Sequence, residues 1–285
     1  MSDMTHGLLN MKPITLGMEV CDINLNEPVS DEIVEEIKKA VHKHRILVFK
    51  NQGVISGDRH VEISRWFGEP ESTFYKHPKS PHPDVFRVSN DEDEGCRGVG
   101  RTGWHIDGSF MEKPFSYALY HMVAVPKKGD TVFVPLNEVI CSLSPETRAK
   151  WERLYMVSDR RMAIVHPLIY PHPVTGLPTL CFHLGMTEGF VYDHGSENQR
   201  LASIPEVRQI LGEILKEIVK DNRRLVYAHK WDVGDFIISD NLSVGHEASE
   251  ESQYKRSEVG LRVLHRVTVE GKWKPEKNMT RNVQV

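Results

Sequence analysis

Two histidines and one carboxylate in this 285-residue chain have the types and order of a metal-binding face. His105 and Asp107 stand two apart in Gly103-Trp104-His105-Ile106-Asp107-Gly108-Ser109-Phe110. His246 closes the run Ser239-Asp240-Asn241-Leu242-Ser243-Val244-Gly245-His246. Such a set holds a first-row divalent metal on one side and leaves the opposite positions open, which suits Fe(II) and the activation of oxygen.

An H-x-D match by itself says little in a chain with 15 histidines. His82-Pro83-Asp84 repeats the pattern, and His60-Val61-Glu62 is a looser version. Context separates the three. Strand residues i and i+2 point the same way and can share one metal. His105 to Asp107 precedes an apolar, strand-like stretch. Two prolines around His82 favour a loop. His60 falls in a helical pattern with Ile63 and Phe67, where i and i+2 diverge.

The elements that must position these residues fall into two parts. Ser30 caps a predicted helix whose apolar stripe is Ile33, Val34, Ile37, Ala40 and Val41. Ile46-Leu47-Val48-Phe49 reads as a buried strand, and a second helix runs from about Asp58 to Phe67, stopped by Gly68 and Pro70. Farther on the chain is strand-rich. Strands are expected at 85–88, 116–125, 131–134, 179–183, 225–229, 236–239 and 261–269. Ser144-Pro145 opens a short helix through Leu154, and Pro205 opens a longer one with a core-facing stripe from Val207 to Val219. Many strands with scattered helices suggest a mainly β, cupin-like jelly roll with helical support. Two distant strands can then bring His105, Asp107 and His246 to one barrel mouth. The expected organisation is a single domain over 1–285, with α/β support from about 14–70 and the jelly-roll core from about 84–270.

Composition narrows the function classes. The chain is 39% hydrophobic and 27% charged, ordinary for a globular protein with a sizeable core. A formal net charge of -4 gives no support for a nucleic-acid or anionic-membrane surface. No apolar run approaches a membrane span, and residues 1–13 lack the pattern of a secretory signal. Cys21, Cys96, Cys141 and Cys181 are scattered without a C-x-x-C pair, so reduced thiols and a cytoplasmic location are expected. A trimmed organellar targeting peptide stays compatible with this, and so does a homo-oligomer. The acidic run Asp91-Glu92-Asp93-Glu94 reads as a solvated loop, with a lid as the sharper alternative.

The last strand carries Arg262 and Arg266, which would share a face with Leu264. Arginine is rarely buried without an anionic partner, and a guanidinium grips a carboxylate with two parallel hydrogen bonds. Internal salt bridges are the plainer explanation. His265 would point to the other face and pack there. Lys128-Gly129-Asp130-Thr131 is a turn entering a strand, and the Thr131 hydroxyl could serve the same carboxylate as Arg262.

The order W-H-x-D, a G-D-T turn, D-N-x(4)-H and R-x-x-x-R resembles the taurine / 2,4-dichlorophenoxyacetate dioxygenase family of Fe(II)- and 2-oxoglutarate-dependent oxygenases. Leu16-Gly17-Met18-Glu19-Val20 and Phe67-Gly68-Glu69 add to the likeness, which runs from about residue 14 to 270. The resemblance implies a double-stranded β-helix. It implies that His105, Asp107 and His246 are iron ligands, that Thr131 and Arg262 bind the distal carboxylate of 2-oxoglutarate, and that Arg266 lies near the acidic group of the substrate. The implied reaction consumes O2, releases succinate and CO2, and takes hydrogen from a substrate C–H bond, ending in hydroxylation, desaturation or ring closure. Asp107 supplies the carboxylate ligand that the halogenase variant lacks.

There are departures from taurine dioxygenases. Arg101 stands where they carry an asparagine, and Met186 where an aromatic wall is expected. The loop 72–77 lacks their histidine-tyrosine pattern, and the stretch between His246 and Arg262 is longer. Arg101, Lys76 and Arg266 could form a cationic rim, so the expected substrate is a small anion: a carboxylate, amino acid, sulfonate or phosphonate. Two alternatives remain open at this stage. One is a cupin-like metal enzyme that does not use 2-oxoglutarate, and the other is a non-catalytic jelly-roll binding protein.

Overall fold

The computed structural model describes residues 8–71, 76–99, 103–159 and 164–278. The chain is mostly sheet with a few helices. Its largest sheet has seven strands in the order Asn10–Pro13, Met18–Cys21, Ile46–Phe49, Phe236–Asp240, Tyr117–Ala124, Val263–Val269 and Phe86–Ser89. All neighbours are antiparallel except Met18–Cys21 beside Ile46–Phe49. A three-stranded sheet places Thr131–Pro135 between Tyr227–His229 and Val244–Ala248.

The period-2 alternation of strands decides what each face of the large sheet meets. Tyr120, Met122, Ile237, Leu264 and Phe86 form one buried cluster with Phe133 and Val244 of the small sheet, so the two sheets face one another. The opposite face presents Tyr117, Leu119, Phe236 and Ile238 to Ile37 and Val41 of helix Asp31–His44 and to Ile63 of helix Gly57–Arg65. A further core gathers Trp104, Val134, Leu180, Phe182 and Phe190 against Ile210, Ile214 and Ile218 of helix Ile204–Arg223.

Serine side chains start the helices as the sequence suggests: Ser30 accepts from the Ile33 amide, Ser144 from Thr147, and Ser203 from Glu206 in a capping box. Some boundaries differ. The helix opened by Pro145 ends at Glu152, and Leu154 begins a strand to Ser158. The expected strand 179–183 is reduced to Pro178–Leu180, with a lone bridge at His183. The acidic run is tied down rather than free, since Asp91 pairs with Arg256 and Glu94 with Lys79 and Arg87.

Three buried histidines lie on the helix side of the large sheet. His121 and His265 are register partners on adjacent strands, and His60 reaches them from helix Gly57–Arg65. Ring centroids are 6.3 Å apart for His60 and His121 and 6.1 Å for His121 and His265. Arg87 Nη1 lies 2.8 Å from His265 Nε2, and a guanidinium only donates, so that nitrogen must accept. Burial holds His60 well below its ordinary range and lowers His121; burial, then Arg87, brings His265 down to about 3. Folded-state values below the unfolded value mean the unfolded chain binds more protons, so stability is full above about pH 6.5 and falls as pH drops. His265 alone costs about 2 kcal/mol at pH 5 by this linkage. Thermal unfolding should therefore shift down by several degrees from pH 7 to pH 5, and His60→Leu should flatten that slope. An unchanged melting temperature over this range counts against the three being held neutral.

Candidate active site

His246 sits in strand Val244–Ala248, opposite Phe133. His105 lies outside any extended strand, contrary to expectation. It makes a lone bridge on each side, to His246 and to His183. The amides of His105 and His246 donate to each other's carbonyls at 3.1 and 2.9 Å. That reciprocal pairing puts the two side chains on one side, with ring centroids 4.4 Å apart. Asp107 follows in a turn made possible by Gly108, whose φ of +76° suits glycine, and where a Cβ would come within 2.9 Å of the Phe115 amide.

The ligand-type atoms of His105, Asp107 and His246 all lie within 4.8 Å of one another, and all three residues are buried. Among the described residues this is the one group of three or more such side chains that could hold a metal. His105 Nδ1 is 2.7 Å from the Gly103 carbonyl, so Nδ1 carries the proton and Nε2 is left to face Asp107, 3.8 Å away. His246 Nε2 lies 3.5 Å from the other Asp107 oxygen. Burial depresses both imidazoles, His246 to about 3, while Asp107 counteracts the effect in each. Burial would raise Asp107, but Arg266 and the two histidines outweigh it and hold the carboxyl below its ordinary value. Two neutral imidazoles beside an ionised carboxylate are the protonation states a divalent metal requires.

Asn241 fixes Asp107 through its backbone. Its Oδ1 accepts from the Asp107 amide at 2.8 Å, and its Nδ2 donates to the carbonyls of Asp107 and Phe115 at 2.9 and 2.7 Å. The neighbouring Asp240 accepts from Ser243 Oγ and the Leu242 amide, which shapes the turn leading to His246.

The two arginines behave differently. Arg266 Nη1 contacts both Asp107 oxygens, at 2.8 and 3.0 Å, and its guanidinium lies 5.2 Å from the Phe86 ring centroid. Arg262 lies one residue before strand Val263–Val269, and a register shift falls between Val263 and Leu264. Its amide donates to Asn90 and its carbonyl accepts from Ser89. Its side chain is 2% exposed, and Nε has no hydrogen-bond partner among the described residues. Burial pushes this guanidinium down to about 10, with Asp130 opposing. Thr131, next to Asp130, is buried and accepts a hydrogen bond from Trp231 Nε1 at 3.1 Å.

Lys76 is exposed and Met186 half-buried. Arg101 lies outside the described residues, as does the loop 72–75. His82, the decoy, accepts from the Asp84 amide in a turn. Four residues escaped sequence reasoning. Asn241 was visible only as part of a spacing. His183 stacks on His105 at 4.5 Å and 17°. Tyr120 Oη lies 3.4 Å from His246 Nε2, and burial raises its phenol, which keeps its proton. Trp231 had no local signal.

A sheet framework that buries two neutral histidines, one carboxylate and an arginine with an unused donor defines a metal-dependent oxygenase class of site. The sequence model of the Taurine catabolism dioxygenase TauD, TfdA family matches residues 10–268, and the chain belongs to that family. It is thus an oxidoreductase of the 2-oxoglutarate (α-ketoglutarate)-dependent dioxygenase class, which works with Fe(II) and O2. The α-ketoglutarate-dependent 2,4-dichlorophenoxyacetate dioxygenase of Cupriavidus pinatubonensis is 28% identical over 79% of this chain and 86% of its own. The α-ketoglutarate-dependent sulfate ester dioxygenase of Pseudomonas putida is 24% identical over 92% of this chain and 90% of its own. The crystal structure of a taurine dioxygenase from Burkholderia xenovorans superposes with a TM-score of 0.75 at 24% identity, covering 93% of this chain and 91% of that one, a likeness of fold.

Proposed function

We propose that this chain oxidises a C–H bond of a small anionic substrate, with His105, Asp107 and His246 holding Fe(II) and with Thr131 and Arg262 holding the distal carboxylate of 2-oxoglutarate. The observation that carries the reading is Arg262. A buried guanidinium with an unused Nε–H is costly unless an anion completes it, and a carboxylate fits its fork. The two facing sheets are read as a double-stranded β-helix, in one domain over the whole chain, working in the cytoplasm. Among the described residues no helix is long and apolar enough to cross a membrane.

When bound, Fe(II) with 2-oxoglutarate and O2 supplies the oxidant that takes hydrogen from the substrate, while succinate and CO2 leave. The chain supplies position and exclusion of water. Gly103 fixes the His105 tautomer, Asn241 fixes Asp107, and Tyr120 offers a protonated hydroxyl beside His246. Arg266, Arg101, Lys76 and Met186 are assigned to the substrate side. The anionic preference rests on the cationic members of that set, and on relatives named for a phenoxyacetate and a sulfate ester. Other relatives are named pentalenolactone F synthase and tyrosine isonitrile desaturase, and hydroxylation, desaturation and ring closure are all compatible with this site.

The test has two arms. Anaerobic Fe(II) titration should develop a weak visible charge-transfer band only when 2-oxoglutarate is present. A band independent of the keto acid would instead favour a cupin-like metal enzyme. Substrate-coupled succinate formation should then be confined to anionic compounds in a screen of carboxylates, amino acids, sulfonates, phosphonates and neutral analogues. Turnover of neutral compounds alone would overturn the anionic assignment.

A further inference from the structure

Thr131 is a small, buried residue whose hydroxyl has one hydrogen to give and two lone pairs. Trp231 Nε1 is a donor only, so at 3.1 Å it must occupy one of those lone pairs. The hydroxyl hydrogen is then directed away from the indole. No acceptor for it is found among the described residues. The segments that carry Thr131 and Arg262 are tied together, because the Lys127 amide donates to the Val259 carbonyl at 2.7 Å.

The indole is itself held in place. The ring of His229 meets it edge-on with centroids 4.5 Å apart, and His229 is the register partner of Thr131 across the sheet. His229 is fixed from both nitrogens. Nε2 lies 3.2 Å from Asp235 Oδ2, and Nδ1 lies 2.8 Å from Tyr227 Oη. An ionised carboxylate only accepts, so Nε2 carries the hydrogen, and in the neutral imidazole Nδ1 accepts from the tyrosine. Asp235 Oδ2 is in turn anchored by Lys50 Nζ at 2.7 Å and by the Asp232 amide at 2.9 Å. A chain of fixed groups thus runs from Lys50 to the Thr131 hydroxyl.

We propose that Trp231 is a positioning residue, which turns the Thr131 hydroxyl into an obligatory donor aimed at the distal carboxylate of the keto acid. This rests on the assignment of Thr131 and Arg262 made above. One neutral hydrogen bond of this kind contributes about 1 kcal/mol, so Trp231→Phe should weaken 2-oxoglutarate binding about fivefold. The effect should be specific to the distal carboxylate.

The experiment measures dissociation constants for 2-oxoglutarate and for pyruvate, which lacks that carboxylate, on the Mn(II)-loaded protein by calorimetry. Trp231→Phe should raise the constant for 2-oxoglutarate and leave that for pyruvate unchanged. Thr131→Val should do the same, and the double variant should be no weaker than Thr131→Val alone. Replacing Trp231 by 3-benzothienylalanine removes only the N–H at nearly constant volume, and covers the case in which phenylalanine disturbs folding. Equal weakening of both keto acids, or no change with either Trp231 variant, overturns the proposal. If Thr131→Val itself leaves 2-oxoglutarate binding intact, the carboxylate assignment of Thr131 fails, and this inference with it. If Thr131→Val weakens binding and the Trp231 variants do not, only the inference fails.

Discussion

His246→Ala is expected to abolish Fe(II)-dependent turnover, and His82→Ala to leave it near the parent level. His246 is buried in a strand paired along Thr131–Pro135, with its Nε2 3.5 Å from Asp107. Its ring is held neutral, ready to donate a lone pair without first losing a proton. Removing it leaves one imidazole and one carboxylate. Loss of an outer-shell partner costs about 10–100-fold in metal affinity, and loss of a ligand should exceed that. Mn(II) or Fe(II) titration reads this directly, and 2-oxoglutarate decarboxylation reads the consequence. His82 faces Asp58 and Asp84 at 3.9 and 3.7 Å in a turn, so its removal tests the decoy. Parent-level metal affinity in His246→Ala, or loss of activity in His82→Ala, would refute the ligand assignment.

Arg262→Met should separate stability from co-substrate binding. Truncating one partner of a buried charged pair costs about 2–5 kcal/mol, which predicts weakening of 2-oxoglutarate by roughly 30- to several-thousand-fold. Replacing a buried charge by an apolar side chain of similar volume is often neutral or stabilising. The main-chain bonds of Arg262 to Asn90 and Ser89 do not depend on its side chain. The variant should thus melt no lower than the parent without ligand, yet gain little from added 2-oxoglutarate. A thermal-shift titration measures both. A large destabilisation with unchanged 2-oxoglutarate affinity would make Arg262 a structural residue only.

Much of the candidate site was legible because its residues carry their own chemical signatures. Histidine, aspartate and arginine at these spacings have few other uses together, and the decoys at His60 and His82 were separable by proline and helical period. The layered framework was legible where apolar alternation was strong, as in Tyr117–Ala124 and Val263–Val269. Val244–Ala248 was not, because Gly245, Glu247 and Ala248 are poor strand formers and neighbours hold the segment extended. His105 was misplaced in a strand for a similar reason, since its pairing is tertiary and one residue long. Arg262 was put on a strand that begins at Val263, since periodicity does not fix the residue at which a strand starts. Asn241, His183, Tyr120 and Trp231 act through partners distant in sequence, which no local pattern encodes.

The three ligand-type residues and Thr131 are fixed by paired strands, by reciprocal backbone bonds or by Asn241. Lys76 and Met186 lie instead in connecting segments, outside helices and strands. Arg266 would meet the substrate from a paired strand, but Lys76 and Met186 would do so from backbone of a different kind from that of the oxygen-handling centre. Substitutions, insertions and exchanges in the connecting segments can accumulate without disturbing the sheets. A lineage built this way can retarget its chemistry to new molecules while its oxidising centre drifts very little.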